Sequence, residues 1–213
     1  MRKFFLTAIG IIVLILNARA DDAYPFSVGP YIALKAGVNA GNIQQGTKTG
    51  VAFYGTPDFG ATVFLPFSKT SNVGAALDLG YSTYGVKYLP DSNAVDNNTF
   101  LAKFNYFTFA PALNANNFTV GFAFGIPLGE SVANNSGSIS KTYGTDSMGI
   151  IVEFRLGAMI PLLNSPTGRL DLLFQAGYMI TGTYNNTSSY NPHPATVSLG
   201  LNYLFSLSKE QTP

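Results

Sequence analysis

Eight stretches of the chain alternate with period two, and that pattern leaves few folds open. From Val28, apolar side chains recur at Pro30, Ile32, Leu34 and Ala36, with Gly29, Tyr31, Ala33, Lys35 and Gly37 between them. The same alternation returns over 59–65, 73–81, 104–112, 118–126, 150–160, 170–180 and 197–205. Successive side chains of a strand point to opposite faces, so each stretch has one apolar and one mixed face. No helical periodicity of comparable strength follows residue 20.

The apolar face carries Phe59, Phe118, Phe122, Phe124, Phe154, Phe174 and Phe205. In the 104–112 stretch it reads as Phe104, Tyr106, Thr108, Ala110 and Ala112. The opposite face is rich in small residues such as Gly60, Gly80, Gly121, Gly157 and Gly177, and holds the strand charges Lys35, Asp78, Lys103, Glu153, Arg155 and Asp171. The interior of an eight-stranded barrel is just wide enough to be filled by side chains, so it cannot hold all those phenylalanines. Only 11% of the 213 residues are charged, against about 25% in soluble domains. The apolar face therefore meets lipid. The expected fold is all-β, an eight-stranded antiparallel up-and-down transmembrane β-barrel. Ten strand residues tilted by about 40° rise roughly 25 Å, the height of the apolar band of such barrels.

Residues 1–20 read as a removable signal peptide. Met1-Arg2-Lys3 is followed by an apolar stretch from Phe4 to Leu16, too short as a helix for the ~30 Å hydrocarbon core, and Ala18-Arg19-Ala20 has the small-x-small cleavage pattern. The mature chain, 21–213, then holds nine basic against eleven acidic residues and reads as one domain, with strands within about 27–205 and a tail at 206–213. Having no cysteine and almost no net charge, it is neither a disulfide scaffold, a thiolate metal site nor a basic nucleic-acid binder.

The links between strands alternate in length. Short turns fall at 67–72, 114–117 and 163–168, and longer polar links at 39–50, 83–102, 129–147 and 181–194. Barrels with short periplasmic turns and long extracellular loops have this arrangement. Tyr24, Phe26, Phe67, Tyr84 and Tyr88 are candidates for aromatic girdles at the membrane interfaces.

The last stretch, Ser198-Leu199-Gly200-Leu201-Asn202-Tyr203-Leu204-Phe205, reads polar-x-Gly-x-x-aromatic-x-aromatic. It resembles the C-terminal assembly signal of bacterial outer-membrane proteins, with Ser198, Gly200, Tyr203 and Phe205 in the signal positions. Eight further residues follow Phe205. Over about 27–205 the chain resembles the small outer-membrane barrels grouped as the OmpA transmembrane domain, OmpX and OmpW-like proteins, or "porin family". That resemblance implies a cell outer-membrane location, reached through the periplasm. It implies outer-membrane lipid and the barrel-assembly machinery as partners, and an extracellular ligand or surface partner met through the long loops.

Catalytic chemistry has little to stand on. The single histidine, His193, lies between Pro192 and Pro194 in the last link, without a positioned nucleophile and orienting partner. Asp91, Asp96 and Asp146 lack calcium-loop spacing. No catalytic, cofactor or metal residue is assigned, and the expected role is a non-enzymatic surface barrel. A small channel or hydrophobic-ligand conduit is the second reading, and a lipid-modifying enzyme the third. The six lumen charges are expected to pair, since an unpaired buried charge is costly.

Overall fold

The computed structural model describes residues 26–42, 47–67, 73–90, 99–115, 117–133, 139–165, 167–185 and 191–207. The expected signal peptide, Tyr24 and most of the 206–213 tail lie outside the described residues. Eleven strands run β1 (Ser27–Asn39), β2 (Thr47–Gly50), β3 (Ala52–Phe53), β4 (Asp58–Pro66), β5 (Val73–Pro90), β6 (Phe100–Ala115), β7 (Phe118–Ala133), β8 (Ile139–Tyr143), β9 (Ile151–Ser165), β10 (Gly168–Met179) and β11 (Pro194–Ser206).

Eight of them form a closed antiparallel ring, β1-β4-β5-β6-β7-β9-β10-β11, sealed where β11 returns to β1 from Ser27↔Ser206 to Asn39↔Pro194. Closure is what lipid demands, because an open edge would leave N–H and C=O groups unpaired in hydrocarbon at several kcal/mol each. β2 extends the sheet along β5, β3 along β1 and β8 along β7. Hairpins β4–β5, β6–β7 and β9–β10 turn at the end that holds Ser27 and Ser206. Asn117 makes the β6–β7 turn at φ 72°, a conformation Asn tolerates better than most residues.

Seven of the eight expected face assignments match the observed burial. Along β1, for example, Tyr31, Ala33 and Lys35 are buried while Pro30, Ile32 and Leu34 are exposed on the outside. β6 is the correction. Phe104, Tyr106, Thr108 and Ala110 are buried in the lumen, and the outer face carries Leu101, Phe107, Phe109 and Leu113. Nearly every position of this strand is apolar, so alternation alone does not mark its face. Lys103 follows the same correction: flanked by buried Ala102 and Phe104, it belongs to the outer face and not to the lumen.

The girdle also differs from expectation, since Tyr84 is fully buried inside. Phe59, Tyr81 and Phe107 instead form a row in register across β4, β5 and β6, with Phe59 and Tyr81 stacked at 5.3 Å. The far end, away from Ser27 and Ser206, is more strand-like than the sequence implies. β5 continues to Pro90 and β6 starts at Phe100, so residues 83–88 and 100–102 of the 83–102 link are paired hairpin. β5, β6 and β7 have 18, 16 and 16 residues, which at about 2.5 Å of rise each overshoot the ~25 Å band. A bulge opposite Asn105/Tyr106, where Gly129 takes φ 151°, shifts the facing of β7 by one residue. Glu130 thereby points inward above the membrane band.

Candidate functional site

The lumen is filled in three layers. At the turn end an apolar cluster gathers Tyr31, Phe64, Ala76, Met159, Leu173 and Leu204. At the far end a second cluster contains Tyr84, Val86, Phe104, Tyr106, Met148, Ile151 and Met179, with Tyr184 packed against it. Small residues make the space. A methyl on Gly80 would stand 2.7 Å from the Tyr31 hydroxyl, and one on Gly177 would strike the Glu153 carboxylate.

Between the clusters lies the polar layer. Glu153 is 1% exposed and is held from three sides. Its Oε2 accepts from Arg155 Nε at 2.6 Å and from the Tyr84 hydroxyl at 2.7 Å, and its Oε1 accepts from Thr196 Oγ1 at 2.9 Å. Arg155 also donates to the Tyr84 oxygen at 3.1 Å. Glu153 and Arg155 sit two apart on β9, so period two places both on the lumen face.

A second centre forms around Lys35, whose Nζ is 2.5 Å from Asp58 and from the Ser82 hydroxyl, and 4.1 Å from the centre of the Tyr84 ring. Asp58 accepts further from Ser82 Oγ at 2.7 Å and the Thr83 N–H at 3.0 Å. Asp78 accepts from Thr62 Oγ1 at 2.6 Å. It also shares with Arg155, Thr119 and Gln175 a cavity with room for about one water. Toward the turn end, Arg169 Nε lies 2.8 Å from the Asp171 carboxylate, and its guanidinium stacks 5.0 Å from the Phe64 ring.

Of the six charges read from the sequence as one network, Glu153 and Arg155 are in direct contact. Lys35 is joined to them through the Tyr84 ring, Asp78 borders the shared cavity with Arg155, Asp171 belongs to a separate pair, and Lys103 is outside. Sequence reasoning missed Asp58 and Arg169. Both were recoverable, because Asp58 immediately precedes outward Phe59, and Arg169 is two residues from Asp171 on the same face.

Two far-end links fold over the mouth. Met148 bridges to Tyr184, Gly149 N–H donates to the Thr183 carbonyl at 2.9 Å, and Asn185 N–H to the Ser147 carbonyl at 3.0 Å. The Tyr184 hydroxyl donates to Glu130 at 2.9 Å and the Tyr106 hydroxyl to the Thr183 carbonyl at 3.3 Å, which ties this cover to the wall. His193 is structural in setting. Its Nδ1 is 3.0 Å from the Met179 carbonyl and its N–H donates to Asn39 at 2.9 Å.

The candidate assembly residues sit along the closing seam. Ser198 faces the lumen, and a methyl on Gly200 would stand 2.5 Å from the Ala33 Cβ across the β1–β11 pair. Tyr203 and Phe205 lie on the outer face with rings edge-on at 4.7 Å.

Apolar outside, ionic within and closed edge to edge, the chain is a small transmembrane β-barrel. No protein-family description matches it, and no curated protein matches it. Its structure is similar to Ail, the attachment invasion locus protein of Yersinia pestis, at 12% identity over 85% of this chain and 100% of that one, with a TM-score of 0.39. It is also similar to the outer membrane protein AlkL, at 15% identity, 92% and 99% coverage and a TM-score of 0.39. The outer membrane protein OprG from Pseudomonas aeruginosa follows at 15% identity, 86% and 98% coverage and 0.34. These likenesses concern the barrel architecture.

Proposed function

We propose that the protein is a non-enzymatic outer-membrane barrel whose lumen is closed to solutes and whose far-end hairpins form the working surface, for recognition or for mechanical support of the membrane. One observation carries the reading: apolar clusters lie in the lumen at both ends of a paired ionic layer, which favours a closed lumen over a continuous aqueous path. Charges enclosed between apolar plugs are costly to separate, which makes the layer a tie between strands. The histidine is engaged with backbone and asparagine, and that favours a barrel without hydrolytic chemistry over a lipid-modifying enzyme.

Planar-bilayer recording on refolded protein tests this. The expected trace is baseline with rare, brief openings. A large and steady conductance overturns the closed-lumen reading and puts a channel in its place.

A further inference from the structure

The ladder of the barrel wall has a gap, and a lumen cavity lies beside it. Pairing of β6 with β5 runs unbroken through Leu77↔Pro111, whereas pairing with β7 steps from Phe109↔Phe124 to Ala112↔Gly121. The register is unchanged across that step, which sets Pro111 opposite Phe122. Proline has no N–H, so the Phe122 carbonyl lacks the donor that another residue at 111 would bring. Gly121 keeps the two strands close at the gap, since a methyl there would strike the Pro111 carbonyl oxygen.

Depth makes this loss matter. Pro111 lies four residues along β6 from Ala115, and at about 2.5 Å of rise per residue it sits roughly 10 Å into the ~25 Å apolar band. Lipid offers no hydrogen bond there, so the carbonyl has to find a donor on the lumen side.

The cavity has room for about one water and reaches from Pro111 and Phe122 to Asp78, Thr119, Arg155 and Gln175. A methyl on Gly157 would stand 3.0 Å from both the Thr119 hydroxyl and the Gln175 Cγ, so that glycine gives the two side chains their room. Among the described residues Asp78 accepts from Thr62 and forms no direct ion pair. Its carboxylate has acceptor positions left. Arg155 directs Nε to Glu153 and Nη2 to Tyr84, and a guanidinium has further N–H donors. An occupant between these two groups has to be neutral. A cation would face the guanidinium and an anion the carboxylate, whereas water donates to one and accepts from the other.

We propose that this cavity binds one ordered water, which donates to the Asp78 carboxylate and to the Phe122 carbonyl and accepts from Arg155. A buried water typically makes about three hydrogen bonds, and these three tie the ionic layer to the gap in the wall. The inference rests on the closed-lumen reading, because a water is held in this way only where no aqueous column runs beside it.

The test counts long-lived waters on the folded, full-length protein in detergent micelles, by magnetic relaxation dispersion of labelled water oxygen. Ala110 also lines the cavity, and Ala110→Val fills it with methyl groups. This variant is expected to lose one water from the count and to unfold at lower urea, because Asp78 and the Phe122 carbonyl lose a donor. An unchanged count overturns the proposal, whatever the midpoint does. Pro111→Ala returns an N–H to the ladder, and slow hydrogen exchange is expected for that new amide. Fast exchange shows that no carbonyl awaited a donor, and also overturns the proposal. Heat-shifted electrophoretic migration confirms that each variant is folded. If Ala110→Val does not fold, the wild-type protein decides through cross-relaxation from water to the Gln175 side-chain amide. The sign of a bound water is expected, and the sign of a passing water overturns the proposal. A steady bilayer conductance defeats the closed-lumen reading and this inference with it, whereas a silent bilayer with an unchanged count defeats this inference alone.

Discussion

Replacing Glu153 or Arg155 by Ala separates a buried ionic tie from a pair of hydrated charges. Glu153 is 1% exposed and Arg155 13%. Removing one partner of a buried pair typically costs ~3–5 kcal/mol, against ~0–1 for an exposed pair. The two single changes are not equivalent. Without Glu153, Arg155 keeps only the Tyr84 oxygen at 3.1 Å as a hydrogen-bond acceptor among the contacts described above. Without Arg155, Glu153 still accepts from Tyr84 and Thr196. Glu153→Ala is therefore expected to cost about 3–5 kcal/mol and Arg155→Ala about 1 kcal/mol less, because the stranded glutamate keeps one more hydroxyl hydrogen bond than the stranded arginine does. The double variant is expected to cost less than the sum by about 2–3 kcal/mol, since neither charge is left stranded. Reversible urea unfolding in detergent micelles, followed by loss of the β-sheet circular-dichroism signal, gives all four values of the cycle. Strict additivity, or single losses below about 1 kcal/mol, refutes the buried tie.

Tyr203→Ala/Phe205→Ala is expected to slow membrane insertion in cells more than it lowers the unfolding midpoint of folded protein, because both rings lie on the lipid face of the closing strand. Insertion at the normal rate shows the motif match to be coincidental. Cysteine at exposed Asp146 is expected to label on intact cells, and cysteine at Ser165 to label only after lysis. The reverse pattern inverts the topology. Burial raises the Glu130 pKa above that of an ordinary glutamate, opposed by the Tyr184 hydroxyl. A raised carboxyl pKa stabilises the folded rim at low pH and is lost as pH rises through the folded value. Amide protection factors at 183–185 are thus expected to rise as pH falls from neutral, and a flat profile contradicts the coupling.

Period two made the ring legible because a lipid-facing wall cannot hide a polar residue, and seven strands obey that rule visibly. β6 escaped it for two physical reasons. Its lumen side carries Phe104 and Tyr106 to fill the far-end cluster, while its lipid side carries Phe107 and Phe109, so both faces are aromatic. Lys103, the one charge that could break the tie, lies on the outer face toward the far end, so it points the opposite way from the lumen charges. Asp58 went unread because it is the first residue of its strand. The setting of Tyr54 could not be read at all. It is fully buried where the chain leaves β3 before β4, and its ring lies 2.7 Å from where a Gly85 methyl would stand, a fit made by an irregular segment that period two does not describe.

The layers of the lumen depend on one another, and that dependence supports the working surface proposed at the rim. Apolar clusters flank the middle layer on both sides, and burial there raises the cost of any unpaired charge, so pairing of that layer is favoured. Pairing across β1, β4, β5, β9 and β11, through Lys35, Asp58, Ser82, Tyr84, Glu153 and Thr196, in turn fixes the wall that positions the plugs. The far-end cover is fastened to the same frame, by Tyr184 to Glu130 and by Tyr106 to the Thr183 carbonyl. Tyr106 and Met148 belong to the far-end cluster and Tyr184 packs against it, so a change in that cluster reaches the surface links through these side chains. The rim is then a surface of defined shape on a stiff support, the arrangement in which loops hold binding residues in place.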